Sequence, residues 1–203
     1  MSKMSKSGTI GGIIFLVICI IIFLLAIFSD IGYGDIEGSN KRTYDCDYHT
    51  LSFKTKITTT INNEEVSITG DLFTFFTDPL QMTNSHGKVI ATADDSYHLI
   101  SQDDHNIVVN GKFEICVAGN VDLLGETYDL YDSNKQKVGY AKFGAMNCSG
   151  AIYDINDKMI AKFSSPIIFN DYTVTIVDNN ICSDIAILLI MASYVSDYQA
   201  DHA

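Results

Sequence analysis

Five cysteines and five histidines are the side chains of this 203-residue chain best suited to metal binding, redox chemistry or proton transfer. Their spacing argues against most of that chemistry. No CxxC pair is present, so neither a zinc ribbon nor a dithiol redox centre is written in the sequence. Cys19 lies inside an apolar run, which leaves Cys46, Cys116, Cys148 and Cys182 as an even set. In an oxidising space these four allow two disulfides in any of three pairings; otherwise they are buried thiols. His49, His86, His98, His105 and His202 are scattered without metal-ligand spacing. Asp103, Asp104 and His105 adjoin, a combination that hydrolysis can use, but these residue types are also the ones that turns select, and a polar turn is the expectation. No GxSxG, P-loop or GxGxxG occurs. No catalytic or cofactor-binding residue is assigned, and the chain is expected not to be an enzyme.

One oxygen-rich run remains: Asp178, Asn179, Asn180 and, a little later, Asp184. Calcium takes about six to eight oxygen ligands, often from a loop with a Gly turn and a closing Glu. This run has neither feature. Asp178, Asn180 and Asp184 stand as weak calcium candidates beside the expected arrangement, a turn followed by a helix cap. Asn147, Cys148 and Ser149 match a glycosylation sequon.

The elements that position these residues are constrained first by composition. A hydrophobic share of 47% with only two prolines suits one packed domain and a terminal segment. The formal net charge is -12, from 25 acidic and 13 basic residues, and Lys3 and Lys6 both precede the first acidic residue, Asp30. The chain beyond them repels nucleic acid and anionic lipid. No nucleic-acid partner is expected.

From Ile10 to Phe28 the chain runs 19 residues without a charge, close to the roughly 20 that span a bilayer core. A cleaved signal peptide would carry a shorter apolar stretch, about 7 to 15 residues, ending in small residues. This run ends in Phe28, so an uncleaved single-pass anchor is expected. Lys3 and Lys6 precede the span, and the residues after it are acidic (Asp30, Asp35, Glu37) until Lys41 and Arg42; by the positive-inside rule this order favours a cytoplasmic N-terminus and an extracellular domain at the cell membrane, although Lys and Arg number two on each side. Residues 1–29 are then the cytoplasmic tip and anchor. Gly32, Gly34 and Gly38 among polar residues suggest a flexible linker over 30–50.

From residue 51 onward the pattern has period two. Leu51, Phe53, Thr55, Ile57, Thr59 and Ile61 alternate with polar residues before Asn62 and Asn63, and Val66, Ile68 and Leu72 to Phe76 answer them. Further short runs bring the count to twelve expected strands: Asp78 to Thr83, Lys88 to Ala93, Tyr97 to Ser101, Asn106 to Val109, Phe113 to Ala118, Thr127 to Tyr131, Lys137 to Phe143, Ala151 to Ile155, Met159 to Phe163 and Tyr172 to Val177. Two hairpins resemble each other, YDSNKQKVGYAKF from Tyr131 and YDINDKMIAKF from Tyr153, the second with a turn that reads two residues shorter. An all-β meander is expected.

The segment Ile185 to Val195 is apolar on every side of a helix. Its 11 residues are too few for a second span. One face of an open sheet would leave about half of its large side chains in water, at roughly 1.5–3 kcal/mol each. A closed barrel wrapped around a helix over about 183–196 removes that penalty and the sheet edges together. Ser183 or Asp184 is placed to cap it. The expected fold class is thus mainly β, a twelve-stranded closed barrel over 51–203 around a central hydrophobic C-terminal helix, preceded by an N-terminal transmembrane helix.

The form Tyr-x-x-x-Asp-x-x-x-(Ile/Val)-Ala, followed by a strand, an Asp, an apolar helix and another Asp, resembles the tubby C-terminal-like superfamily, which includes the LURP-one-related proteins and the phospholipid scramblases. The pieces that carry it are Tyr131 to Phe143, Tyr153 to Phe163, Tyr172 to Val177, and Asp184 with Asp197. The resemblance implies a twelve-stranded barrel around a C-terminal helix. It also implies a lipid or phosphoinositide ligand, although the chain departs from that pattern in having no basic cluster in sequence and in placing its span first. The expected function is a membrane-anchored, non-enzymatic binding or structural module, with the membrane as partner through the N-terminal helix. A scramblase-like lipid-interacting protein is the alternative.

Overall fold

The computed structural model describes residues 15–18, 20, 33, 36–51, 54–71, 80–96, 104–122, 125–144, 149–164 and 171–202. Among them, twelve antiparallel strands close into a barrel: β1 (Arg42–Leu51), β2 (Lys54–Ile61), β3 (Glu64–Asp71), β4 (Leu80–Asn84), β5 (Val89–Ser96), β6 (Asp104–Val109), β7 (Lys112–Asp122), β8 (Gly125–Tyr131), β9 (Lys137–Gly144), β10 (Ser149–Asp154), β11 (Met159–Ser164) and β12 (Asp171–Ile176). Each strand pairs with its sequence neighbours, and β1 pairs with β12 to close the ring, Thr43 opposite Thr175 and Cys46 opposite Tyr172. The period-two pattern does what it implies. In β2 the side chains of Thr55, Ile57 and Thr59 are buried inside, while Lys56, Thr58 and Thr60 face outward.

Helix α1 (Asp184–His202) runs through the barrel. Every residue from Ala186 to Ala192 is buried. Seven consecutive residues cover nearly two turns and so every face, which means the helix is enclosed on all sides. Ser183 caps it: its carbonyl accepts from Ile187 N–H at 3.0 Å and its Oγ from Ala186 N–H at 3.3 Å. The helix continues to His202, past the expected end near residue 196, because Asp197 is no barrier to a helix whose first turns are already fixed by packing.

The two ends of the barrel differ. At the end where the helix enters, five tight turns join the strands. Asn62-Asn63 and Asn110-Gly111 have positive φ at both central residues, the geometry of two-residue turns that follow the strand twist. The other three share one design. Asn84, Asp132 and Asp154 each accept, through Oδ1, the backbone N–H groups two and four residues on, at 2.8–3.1 Å, with the residue three on in the left-handed region: Gly87, Lys135 and Asp157. Each lies beside a β-bulge. The turns of the two similar hairpins therefore have equal length. Their two-residue difference falls in the returning strand, where Lys137 and Met159 occupy equivalent places opposite Tyr131 and Tyr153.

Several expectations need correction. The barrel begins at Arg42 within the expected linker, as Tyr44, Cys46 and Tyr48 turn inward while Thr43, Asp45 and Asp47 turn out. Ahead of β1, Ile36 is buried, Gly38 lies against Val177, and the Tyr33 hydroxyl donates to Lys142 O at 3.2 Å. That stretch is docked on the barrel wall. β5 pairs with β6, Ser96 opposite Asp104. Asp104 and His105 consequently belong to a strand and not to a turn; Asp103 and the expected strand Tyr97 to Ser101 lie outside the described residues. Of the expected span, residues 15–18 and 20 are helical and exposed, and the rest lies outside the described residues. No helix among the described residues is long and apolar enough to cross a membrane.

Candidate functional site

The densest convergence of charged side chains is at the helix entry. β1 brings Arg42 and Tyr44 to the first residue of α1, where the Asp184 carboxylate accepts from Arg42 Nε at 2.5 Å, Arg42 Nη2 at 2.8 Å and the Tyr44 hydroxyl at 2.6 Å. The fork geometry of a guanidinium on a carboxylate makes this a strong pairing. An anion in the first turn also meets the positive end of the helix dipole. Burial on its own would raise the Asp184 carboxyl, but the hydrogen bonds from Arg42 and Tyr44 and the adjacent guanidinium outweigh it and hold the group below the usual carboxylate range. Tyr44 is pushed up to about 12 by burial and by its bond to Asp184.

Two further contacts surround this pair. Glu114 of β7 accepts from Ser183 Oγ at 2.7 Å and Ser183 N–H at 3.0 Å, supporting the capping residue from the barrel wall. Asp178 accepts from Lys158 Nζ at 2.6 Å and from Asn180 N–H at 3.1 Å. The Lys158 bond, with help from backbone N–H groups, sets the Asp178 carboxyl below its ordinary value against a modest opposing effect of burial.

The calcium candidates are therefore spoken for separately. Asp184 is neutralised by Arg42, Asp178 by Lys158, and Asn180 is exposed and uses its N–H in the Asp178 turn. A cation at Asp184 would have to displace the guanidinium. Among the described residues, no group of three or more His, Cys, Asp or Glu is arranged to hold a metal. Cys46, Cys116 and Cys182 are thiols and form no disulfide, which removes the two-disulfide arrangement; Cys148 and Asn147 lie outside the described residues. Burial pushes the Cys46 thiol up to about 11 and the Cys182 thiol higher still. His49 and His86 are exposed, His98 lies outside the described residues, and His202 ends α1.

His105 is the residue that the sequence placed wrongly. It is buried inside the barrel and lines a cavity of about 10 Å³ with Tyr128, Phe143, Ile190, Ser193 and Tyr194. The signal was present, because His105, Ile107 and Val109 alternate, but the acidic neighbours suggested a turn. Tyr194 stacks on Phe143 with ring centroids 4.1 Å apart and donates to Gly144 O at 2.6 Å, closing the cavity from the helix side. A space of this size holds about one water. Nearer β1, Tyr48 Oη and Thr55 Oγ1 are buried with no hydrogen-bond partner among the described residues.

On the outer wall, Tyr140 and Tyr153 stack at 5.0 Å, the Tyr140 hydroxyl donates to Asp157 at 2.8 Å, and Lys142 Nζ lies 5.1 Å from the Tyr140 ring centroid. Lys137 is paired with Asp129 at 2.6 Å. Comparison with family models, with curated proteins and with solved structures finds no match for this chain.

Proposed function

We propose that the chain is a membrane-anchored, non-enzymatic binding or structural module whose barrel acts through its outer wall and ends. The observation that carries this reading is the filled interior. α1 occupies the barrel, and the cavity beside His105 has room for about one water. A substrate site is normally a concave pocket with convergent polar groups. The carboxylates that do converge, Asp184 and Asp178, are paired with Arg42 and Lys158 and serve to hold the helix entry.

The anchor is the uncharged run Ile10 to Phe28, with the barrel on the extracellular side. The closed barrel around a buried apolar helix is the arrangement that a tubby-like relationship implies, and it supports that kinship. The scramblase-like alternative requires cations available to lipid phosphate; Arg42, Lys137 and Lys158 are engaged by carboxylates, which leaves the exposed Lys41, Lys88, Lys112 and Lys135 for that role. Sedimentation with anionic vesicles separates the two readings. The barrel module predicts anchoring that carbonate does not extract and no salt-sensitive gain in binding when phosphatidylserine is added; a strong gain that salt abolishes would favour the lipid binder. Protease digestion of intact cells tests the side of the membrane.

A further inference from the structure

The direction in which the chain reaches its barrel fixes which end of the barrel meets the bilayer. Tyr33 touches Lys142, on the part of β9 that leads to the helix-exit end, whereas Gly38 packs on Val177, just beyond the helix-entry end of β12. Ile36, between them, is buried. Two residues of the outer wall beneath this route, Ala151 and Thr175, are also buried although their neighbours in register, Lys142 and Thr43, are exposed. The stretch therefore climbs the outside of the barrel from the helix-exit end to the helix-entry end before turning into β1 at Arg42.

Only four residues separate Phe28, the last of the apolar run, from Tyr33. The five residue-to-residue steps between them reach about 17 Å when fully extended. The headgroup layer takes up roughly 6–7 Å of that. We infer that the helix-exit end of the barrel rests against the bilayer that holds the chain's own apolar run, with the tight-turn end pointing away. The inference rests on the membrane-anchored reading above.

The turns at the tight-turn end are built from Asn, Asp, Ser, Gly and Lys, with Ile155 the apolar exception, and the exposed Val89 and Phe113 there are single residues on separate strands. Among the described residues near the bilayer-facing end, Asp94 and Asp171 are exposed and acidic, so the contact does not depend on anionic lipid.

The full chain in phosphatidylcholine vesicles, carrying a bio-orthogonal dye at exposed Ser164 or at exposed Asn134, tests this with a headgroup acceptor lipid. The two positions lie at the helix-exit and tight-turn ends and differ in height by roughly 15–20 Å, from strands of about seven tilted residues. Energy transfer from Ser164 is expected to exceed that from Asn134 by about twofold or more. Equal transfer, or more from Asn134, in protein that carbonate does not extract would overturn the orientation and leave the anchor standing. Protein that does not remain with the vesicles would overturn both.

Discussion

The Arg42–Asp184 pair joins two elements 142 residues apart in sequence, the first strand and the terminal helix, and its removal gives a measurable deficit. Asp184 keeps 15% of its side-chain surface exposed and Arg42 34%, so the pair stands between a surface bridge, worth up to about 1 kcal/mol, and a buried one, whose breakage costs about 3–5. Discounting for that exposure, we expect a coupling of about 1–2 kcal/mol from the cycle of Arg42→Met, Asp184→Asn and the double variant. Arg42→Met alone should lower the melting temperature by roughly 4–8 °C if it costs about 2 kcal/mol. Urea unfolding of the full chain in mild detergent, followed by tyrosine fluorescence across pH, is the assay. The Asp184 carboxyl is depressed in the folded state from an ordinary value of 3.8, so its contribution is complete above that value and is lost as pH falls through the folded value. The wild-type acid limb should therefore be steeper than that of Arg42→Met. Tyr44, raised from 10.0 to about 12, contributes stability that is complete below 10 and lost as pH rises through 12, a limb that Tyr44→Phe removes. A coupling indistinguishable from zero, or acid limbs that superimpose, would refute the view that this pair ties the helix to β1.

Other outcomes follow from the packing. Leu188→Ala, at a side chain only 1% exposed, should cost about 3–5 kcal/mol in the same urea assay, and a cost below 1 would mean the helix is not enclosed. Thr55→Val removes a buried hydroxyl that has no partner among the described residues, so stability should rise by up to about 1 kcal/mol, as differential scanning calorimetry would register. The Cys46 and Cys182 thiols should resist maleimide at pH 8 in the folded protein and react fully in urea, with mass spectrometry of the modified peptides as the readout.

The wrapping of the helix was legible in the sequence because it follows from one property, apolarity on all sides over a length too short for a membrane. Strand identity was less so. The expected count of twelve equals the observed count, but the lists differ: residues 42–50 of β1 fall in the expected linker, with only Leu51 in an expected strand, and Tyr97 to Ser101 lies outside the described residues. β1 escaped notice because its inward members are Tyr44, Cys46 and Tyr48, set among Asp45, Asp47 and His49, and composition alone reads as polar there. His105 was misplaced for the same reason. Local residue type favoured a turn, while pairing with β5 and β7 made a strand, since a sheet rewards the alternation of His105, Ile107 and Val109 more than a turn rewards two aspartates. Of the helix-entry network only the cap at Ser183 was legible; the Arg42–Asp184 and Glu114–Ser183 contacts depend on which strands meet the helix.

That closure also limits how the molecule can work. An eight-stranded barrel can fill its interior with its own side chains, but one of twelve strands is wider and needs another filler. Here a helix about 10 Å across supplies it. Ile187, Leu188, Leu189, Ile190 and Met191 are each at most 3% exposed, and drawing them into water at roughly 1.5–3 kcal/mol apiece would cost about as much as a whole domain's stability. Release of α1 is thus equivalent to unfolding and cannot serve as a switch. A ligand that enters the barrel would have to evict the same side chains and meets the same cost, whatever its own affinity for the strands. What the fold leaves open to a partner is the outer wall and the two ends; under the anchoring proposed above those ends are unequal, the helix-exit end toward lipid and the turns built on Asn84, Asp132 and Asp154 toward solution.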